Sequence, residues 1–242
     1  MDHPVFANEG PWTEDAYLGL SRADRLQTPA PADGRVELVD GALVIGPGAT
    51  PERARVVAAV RGAVEAALPD GLRVVGPVPL RLGTDCVLVP DLVVTRVSAV
   101  APEQGRSAPE PAAVEPATAE GSTGEGPAGD GRAEEARADP VLDAADALMV
   151  IEVVGADHGA LDRSFKPQLY ARSRIPYSLL VDHDAPFAVA NMIISGRYHE
   201  YAHATAHEVL RVEEPFVLEI DLAAGVDQDR RPEDQDAVPA GG

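Results

Sequence analysis

The stretches VLVPDLVV (residues 87–94) and LMVIEVV (residues 148–154) decide the fold of this chain. Both are apolar at nearly every position, so neither shows the alternation that marks a strand with one side in water. Continuous apolar runs of this length are typical of central strands covered on both faces. We therefore predict a mixed central sheet flanked by helices, in a domain of the α/β (α+β) class.

One acidic residue interrupts each run, Asp91 in the first and Glu152 in the second. A carboxylate in the middle of a covered strand loses hydration worth several kcal/mol unless a partner compensates it. That partner can be an arginine, a proton or a metal ion, and a structural ion pair is the simplest alternative for either acid alone. The only lysine of the chain, Lys166, follows Glu152 by 14 residues. Two buried acids followed by one ammonium group indicate a site.

This combination of groups suits one kind of chemistry. Carboxylate oxygens at close quarters bind hard divalent cations such as Mg²⁺ or Mn²⁺. Such an ion makes a bound water more acidic and neutralises charge that builds up on a phosphate oxygen. A nearby lysine can orient the water or stabilise the negative charge of the transition state.

Outside the two runs, shorter patterns predict further elements. WTEDAYLGL (residues 12–20) predicts a short helix with Thr13 as its N-cap, and RVELVDGALVIG (residues 35–46) predicts a hairpin around Asp40-Gly41. Residues 72–96 predict strands, and residues 166–174 predict a helix opened by Pro167. Residues 177–182 and 187–222 predict β-structure, with a turn at Ser195-Gly196.

Residues 51–68 predict a longer helix with Thr50 as N-cap and an apolar stripe through Val56, Val60 and Val64. The same segment carries three arginines that could contact phosphate. We expect them to be solvated surface charges instead: Arg53, Arg55 and Arg61.

The net charge of −20 limits the class of partner, because affinity for nucleic acid rises with the number of cationic contacts to phosphate. Any activity on nucleic acid therefore needs a local basic patch or a metal. Residues 101–139 are rich in Pro, Ala, Gly and Glu without apolar periodicity, and residues 225–242 are similar. We predict one domain over residues 1–224, interrupted by a disordered acidic insertion at about 101–139 and followed by a disordered tail.

Cysteine usage and hydropathy predict the compartment. The single cysteine, Cys86, excludes an internal disulfide and fits a reducing environment. The start of the sequence lacks the basic end and apolar run of a secretion signal, and no apolar run approaches the length of a membrane span. The expectation is a soluble cytoplasmic protein with no membrane partner.

The ordered series of these segments resembles the PD-(D/E)XK nuclease superfamily, and more closely its Uma-type (Uma-two) branch of restriction-endonuclease-like proteins. The likeness spans about residues 12–98 and 145–222. The segments that carry it are RVELVDGALVI, VPDLVV, IEVV, LDRSFKPQLYARSRIP, LLVD and SGRYHEY…EPFVLEIDL. It implies a restriction-endonuclease-like sheet with extra C-terminal antiparallel strands and a Mg²⁺-dependent (or Mn²⁺-dependent) endonuclease acting on DNA. A homodimer is compatible with it.

The resemblance also assigns roles to residues. It makes Asp91 and Glu152 metal ligands and catalytic acids, and Lys166, which has moved from the strand to the following helix, the catalytic lysine. Glu37 becomes a further acid at the site, although a solvent-facing side chain is the alternative. Asp162 and Tyr170 would support the lysine helix.

Two dipeptides depart from the branch. Gly155-Ala156 replace its usual Ser-Pro, and Ser178-Leu179 replace its usual Tyr-Trp. A second hypothesis is therefore a catalytically inactive nuclease-fold module with a binding or regulatory role.

A third hypothesis comes from His199-Glu200-Tyr201-Ala202-His203, which has the H-E-x-x-H spacing of zinc peptidases, with His207 four residues on. In those enzymes the motif lies within a helix, so that both histidines reach one Zn²⁺. Here a Ser-Gly turn and a β-like run come first. We therefore expect strand histidines on the surface rather than a zinc site.

Overall fold

The computed structural model describes residues 11–20, 34–48, 50–97, 141–156, 161–205 and 208–222. The predicted insertion at 101–139 and tail at 225–242 lie outside these residues. The helices are α1 (Glu14–Leu18), α2 (Pro51–Ala67) and α3 (Lys166–Arg172). The strands are β1 (Gly34–Val39), β2 (Ala42–Gly48), β3 (Leu72–Val75), β4 (Leu80–Gly83), β5 (Cys86–Leu88), β6 (Leu92–Arg96), β7 (Leu142–Asp143), β8 (Ala147–Val154), β9 (Tyr177–Asp182), β10 (Phe187–Ile194), β11 (Arg197–Thr205), β12 (Val209–Val212) and β13 (Leu218–Asp221). A 3₁₀ turn (Ala144–Asp146) precedes β8, and a π-helical turn (Leu161–Phe165) leads into α3.

The central sheet has six strands in the order β11-β10-β9-β8-β6-β3. Strands β8 and β9 are parallel, and the other neighbours are antiparallel. Strand β8 is buried at all but one position, as its apolar run predicts. This mixed sheet with helices packed on it confirms the predicted fold class, and the antiparallel pairs β10–β11 and β12–β13 are the expected C-terminal additions.

A second sheet of five strands, in the order β2-β1-β5-β4-β7, lies beside the first. Its β1–β2 hairpin turns at Asp40 and Gly41, whose φ angles are 48° and 77°. Positive φ at both central residues is what a type I′ turn requires, and the Asp-Gly pair supplies it. The hairpin prediction is therefore confirmed.

Each face of the central sheet has its own apolar core. On one face, the valine stripe of α2 and the β12–β13 hairpin cover Leu92, Met149 and Ile151. On the other face, Val93 and Val150 pack with residues of the second sheet and of α3. Polar side chains from β1, β8 and α3 also enter this interface, namely Glu37, Glu152 and Lys166.

The caps of the helices match the sequence. The Thr13 side chain accepts a hydrogen bond from the backbone of Ala16, and that of Thr50 accepts one from the backbone of Arg53. Within the described ranges, no helix is both long and apolar enough to cross a membrane.

One prediction about the deciding stretches is wrong. Residues 86–96 form two strands instead of one, because the chain leaves the second sheet after Leu88 and enters the central sheet at Leu92. Pro90 lies in the crossing, where its lack of an N–H group costs no ladder hydrogen bond. Asp91 therefore stands at the entry to β6 and not in the middle of a strand, whereas Glu152 lies inside β8 as predicted.

Candidate active site

Five of the six predicted site residues meet at the ammonium group of Lys166. Its Nζ lies 2.8 Å from Asp162 Oδ1, 2.9 Å from Glu37 Oε1 and 3.6 Å from Glu152 Oε1. The hydroxyl of Tyr170 donates to Glu152 Oε1 at 2.5 Å. All five side chains are buried, so the cluster lies inside the protein and not on an open surface.

Three different elements bring these groups together. Asp162, Lys166 and Tyr170 are spaced four residues apart through the π-helical turn and α3, which puts them on one face of the helical segment. Glu152 projects from β8 toward that face. Glu37 comes from β1 of the second sheet, where the backbone N–H of Val89 donates to its Oε1 at 2.8 Å.

Glu152 has an unusual affinity for protons. Burial raises its pKa to about 7, and the negative charges of Asp91 and Glu37 add to the shift, while the ammonium of Lys166 and the hydroxyl of Tyr170 oppose it. A carboxyl group with a pKa near neutrality can both accept and return a proton under physiological conditions.

Lys166 behaves in the opposite way. Burial alone would lower its pKa, but the carboxylates of Glu152, Glu37 and Asp162 outweigh burial and hold the pKa above its ordinary value. The side chain therefore stays protonated. It can act as a fixed positive charge and not as a base.

Asp91 has different partners. Its Oδ1 accepts from Arg35 Nη2 at 2.6 Å and from Arg53 Nη2 at 2.7 Å. Its Oδ2 accepts from the same Arg53 nitrogen and from the backbone N–H of Val153, both at 2.8 Å. A carboxylate has about four acceptor positions. The four contacts therefore use all the acceptor positions of this carboxylate. Asp91 is held in a structural ion pair, which is the simplest alternative for a buried acid.

These partners hold the carboxyl group of Asp91 in its ionised form. Burial alone would raise its pKa, but Arg35, Arg53 and the N–H of Val153 together hold it below its ordinary value. Asp91 contributes to the site through its charge, which raises the pKa of Glu152, while its own oxygens point to the arginines.

The two arginines are the residues that the sequence analysis missed. The expectation of a solvated surface charge is wrong for Arg53, whose side chain is buried, while Arg55 forms an exposed pair with Glu52. Arg53 lies three and seven residues before Val56 and Val60, so its place on the apolar stripe of α2 was a usable signal. Arg35 is two residues before Glu37 on β1, which puts both side chains on the same face of the strand.

Two carboxyl groups of the site carry oxygens of the kind that a divalent cation selects. Oε2 of Glu37 is a buried carboxylate oxygen without a hydrogen-bond partner in the part of the chain that the structure describes. Together with Glu152, whose pKa is raised, it supplies hard oxygen donors with excess negative charge. The Asp91 carboxylate is not such a donor while both arginines hold it. Among the described residues, no three His, Cys, Asp or Glu side chains are grouped so as to hold a metal.

A cavity of about 300 Å³ between α3 and strands β8 to β11 reaches Glu152 and Tyr170 of the cluster. Its wall includes Glu152, Tyr170, Ser178, Asn191, Tyr198 and Glu200. Several of these residues form a row across the sheet, because Val150 pairs with Ser178, Ser178 with Asn191 and Asn191 with Glu200. The wall also includes Arg163, so a phosphate that enters this cavity meets one guanidinium beside the carboxylates of Glu152 and Glu200.

The zinc-peptidase hypothesis is wrong. Its motif lies in strand β11 and not in a helix, and Nδ1 of His203 lies 2.7 Å from Glu200 Oε1 on the exposed side of the strand. His207 lies outside the described residues.

Comparison with known proteins supports the fold. No protein-family model and no curated protein matches the chain. A solved structure described as "a putative nuclease belonging to DUF820" from Anabaena variabilis ATCC 29413 is similar, with a TM-score of 0.57 and 14% sequence identity over 89% of this chain and 97% of that one. At this identity the likeness concerns architecture, so the resemblance to the Uma-type branch stays a prediction, while a nuclease-like fold is the architecture of this chain.

Proposed function

We propose that the chain is an endonuclease that hydrolyses phosphodiester bonds in DNA with the help of Mg²⁺ or Mn²⁺. The observation that carries this proposal is that carboxylate oxygens of Glu37 and Glu152 lie 2.9 and 3.6 Å from Nζ of Lys166, and that a cavity reaches Glu152. The nuclease-like fold supports it. The substrate class follows from the chemistry of the group, since two carboxylates and one fixed cation suit phosphoryl transfer.

Glu37 and Glu152 would hold the divalent cation, because one has a free buried oxygen and the other has excess negative charge. When bound, the ion would acidify water and neutralise phosphate charge. Asp91 was expected to be a ligand as well. That role requires the release of an arginine first.

The chain's own residues supply the remaining steps. Lys166 offers a permanent positive charge to the phosphate oxygens that gain charge as the bond breaks. The pKa of about 7 that Glu152 has without the ion reflects how strongly its surroundings favour a cation at this carboxyl group, which suits it to the role of a metal ligand. Asp162 holds the lysine through its 2.8 Å contact, and Tyr170 fixes Glu152 by its hydrogen bond.

The charge balance of the site is consistent with this assignment. With all four carboxyl groups ionised, Glu37, Asp91, Glu152 and Asp162 provide four negative charges, while Lys166 and the two arginines provide three positive ones. A divalent cation and one phosphodiester group together bring the sum to zero. Neither does so alone, which explains how a chain with a net charge of −20 could hold a nucleic acid at one point.

The test is cleavage of single-stranded and duplex DNA by the full chain with Mg²⁺, Mn²⁺ or EDTA. The parent protein should cut in either metal and not in EDTA. Lys166→Met and Glu152→Gln should each lose about 10²-fold or more in rate, the usual cost of removing one electrostatic or proton-transfer group. Arg211→Met, which breaks only the exposed pair with Glu219, is the control and should cut normally. Cleavage that survives both site variants would refute the assignment.

The saturated carboxylate of Asp91 favours a second candidate, a nuclease-fold module that does not cleave. Two arginines and a backbone N–H already satisfy all four acceptor positions of this acid. If the folded parent protein cuts neither DNA nor RNA in any metal, the binding or regulatory module is the better description.

A further inference from the structure

The guanidinium of Arg53 occupies a set of oxygens that a metal ion would otherwise use. Its Nη2 contacts both oxygens of Asp91, at 2.7 and 2.8 Å, and its Nε donates to the carbonyl of Val153 at 2.9 Å. A carboxylate and a backbone carbonyl are the hard oxygen donors that divalent cations select. One planar cation therefore spans three potential ligand atoms.

The contacts form a closed network rather than a chance approach. The N–H of Val153 donates to Asp91 Oδ2 while its carbonyl accepts from Arg53, so each of the three residues contacts the other two. Arg35 adds a second guanidinium on Oδ1 and is tied to the carbonyl of Val89 at 3.1 Å. The position of Arg53 is set by α2, whose N-cap holds the backbone N–H of the same residue.

We propose that Arg53 is a resident cation that takes the place of a divalent metal at Asp91, so that this carboxylate becomes a metal ligand only when the arginine is withdrawn or replaced. The inference rests on the proposed function in one respect, namely that a divalent cation is the ion the site would bind. It concerns where that ion binds, and it is measured without cleavage.

Displacement by metal alone is unfavourable in the arrangement seen. Expelling Arg53 would leave a guanidinium with no carboxylate in a buried position, which is strongly destabilising. Mg²⁺ also gives up its own waters reluctantly. The arginine therefore holds Asp91 against free metal, and the Glu37 and Glu152 side of the site stays the place where a cation can enter.

The experiment measures Mn²⁺ binding to the full chain by electron paramagnetic resonance and by calorimetry. Arg53→Ala should bind Mn²⁺ at least 10-fold more tightly than the parent, or gain one binding site. Arg55→Ala, two residues away in the same helix but exposed, should equal the parent. Adding Asp91→Asn should abolish the gain in the Arg53→Ala protein.

Two results would overturn the proposal. One is a folded Arg53→Ala protein with the same Mn²⁺ binding as the parent. The other is a gain in Mn²⁺ binding that persists when Asp91→Asn is added to Arg53→Ala, because Asp91 would then not be the ligand that the arginine blocks. If circular dichroism shows that Arg53→Ala does not fold, Arg53→Gln decides between the same outcomes, since the amide keeps a donor for Asp91 but lacks the charge. Failure of DNA cleavage by the parent would refute the proposed function and leave this binding result unaffected.

Discussion

Replacing Lys166 with methionine should destabilise the protein strongly above neutral pH. Methionine fills a similar volume but removes the only cation within 4 Å of Glu37 and Asp162 among the described side chains. Glu152 loses the ammonium group that lies 3.6 Å from its Oε1 as well. Three buried carboxylates then face one another with no ammonium between them.

The magnitude follows from the burial of the cluster. Removing one partner of a buried ion pair costs about 3–5 kcal/mol, because the remaining charge is left without compensation. That is a large share of the roughly 5–15 kcal/mol that stabilises a domain. The carboxyl groups can relieve part of the cost by binding a proton, and Glu152 does so first because its pKa is already about 7. The loss should therefore be near its full size at pH 8 and clearly smaller at pH 5.5.

Urea unfolding followed by circular dichroism, in EDTA at both pH values, measures this loss. Arg211→Met is the matched control, because its pair with Glu219 is exposed and such pairs contribute little. If Lys166→Met costs less than about 1 kcal/mol at pH 8, or the same at pH 5.5 as at pH 8, the three carboxylates do not depend on this ammonium and the described cluster is wrong.

Three further predictions concern Glu152, Tyr170 and His199. In the parent protein the fold favours the neutral form of Glu152, so the stability from this group is present below about pH 4.5 and lost as pH rises through about 7, an effect of about 3 kcal/mol. Glu152→Gln should flatten that part of the urea-unfolding curve against pH, and an unchanged slope would contradict the assigned pKa. Tyr170→Phe should cost about 1–3 kcal/mol in the same assay by leaving a buried oxygen of Glu152 without its donor, whereas a cost near zero would show that the hydrogen bond is absent. His199→Ala should leave the zinc content after dialysis at the background level of the parent, and a stoichiometric zinc lost on this change would restore the peptidase.

The parts of the fold that depend on local rules could be predicted from the sequence. The Asp40-Gly41 turn needs two residues that tolerate positive φ, and the chain offers them between two alternating runs. The α2 helix has its cap and its valine stripe written in consecutive residues. The contact between Asp162 and Lys166 is local too, since four residues separate them.

The partner of Asp91 could not be predicted by the same rules, because it comes from another element. Arg53 precedes Asp91 by 38 residues, and only the packing of α2 on the central sheet brings the two together. A helical stripe shows that Arg53 faces inward, but it does not show which acid it meets. The break at Pro90 added to the difficulty, since it moved Asp91 from the middle of a strand to a crossing between two sheets.

The site has two halves, one around Lys166 and one around Asp91, and they meet at consecutive residues of β8. Their charges differ. Glu152 sends its side chain toward Lys166, while the backbone of its neighbour Val153 holds both Asp91 and Arg53. The Asp91 half has two guanidinium groups for one carboxylate, and the Lys166 half has one ammonium for three carboxylates. Because the cavity reaches Glu152, an incoming cation comes to the half with excess negative charge. Any cation that the protein recruits should therefore bind there first, whichever of the two proposed functions the chain performs.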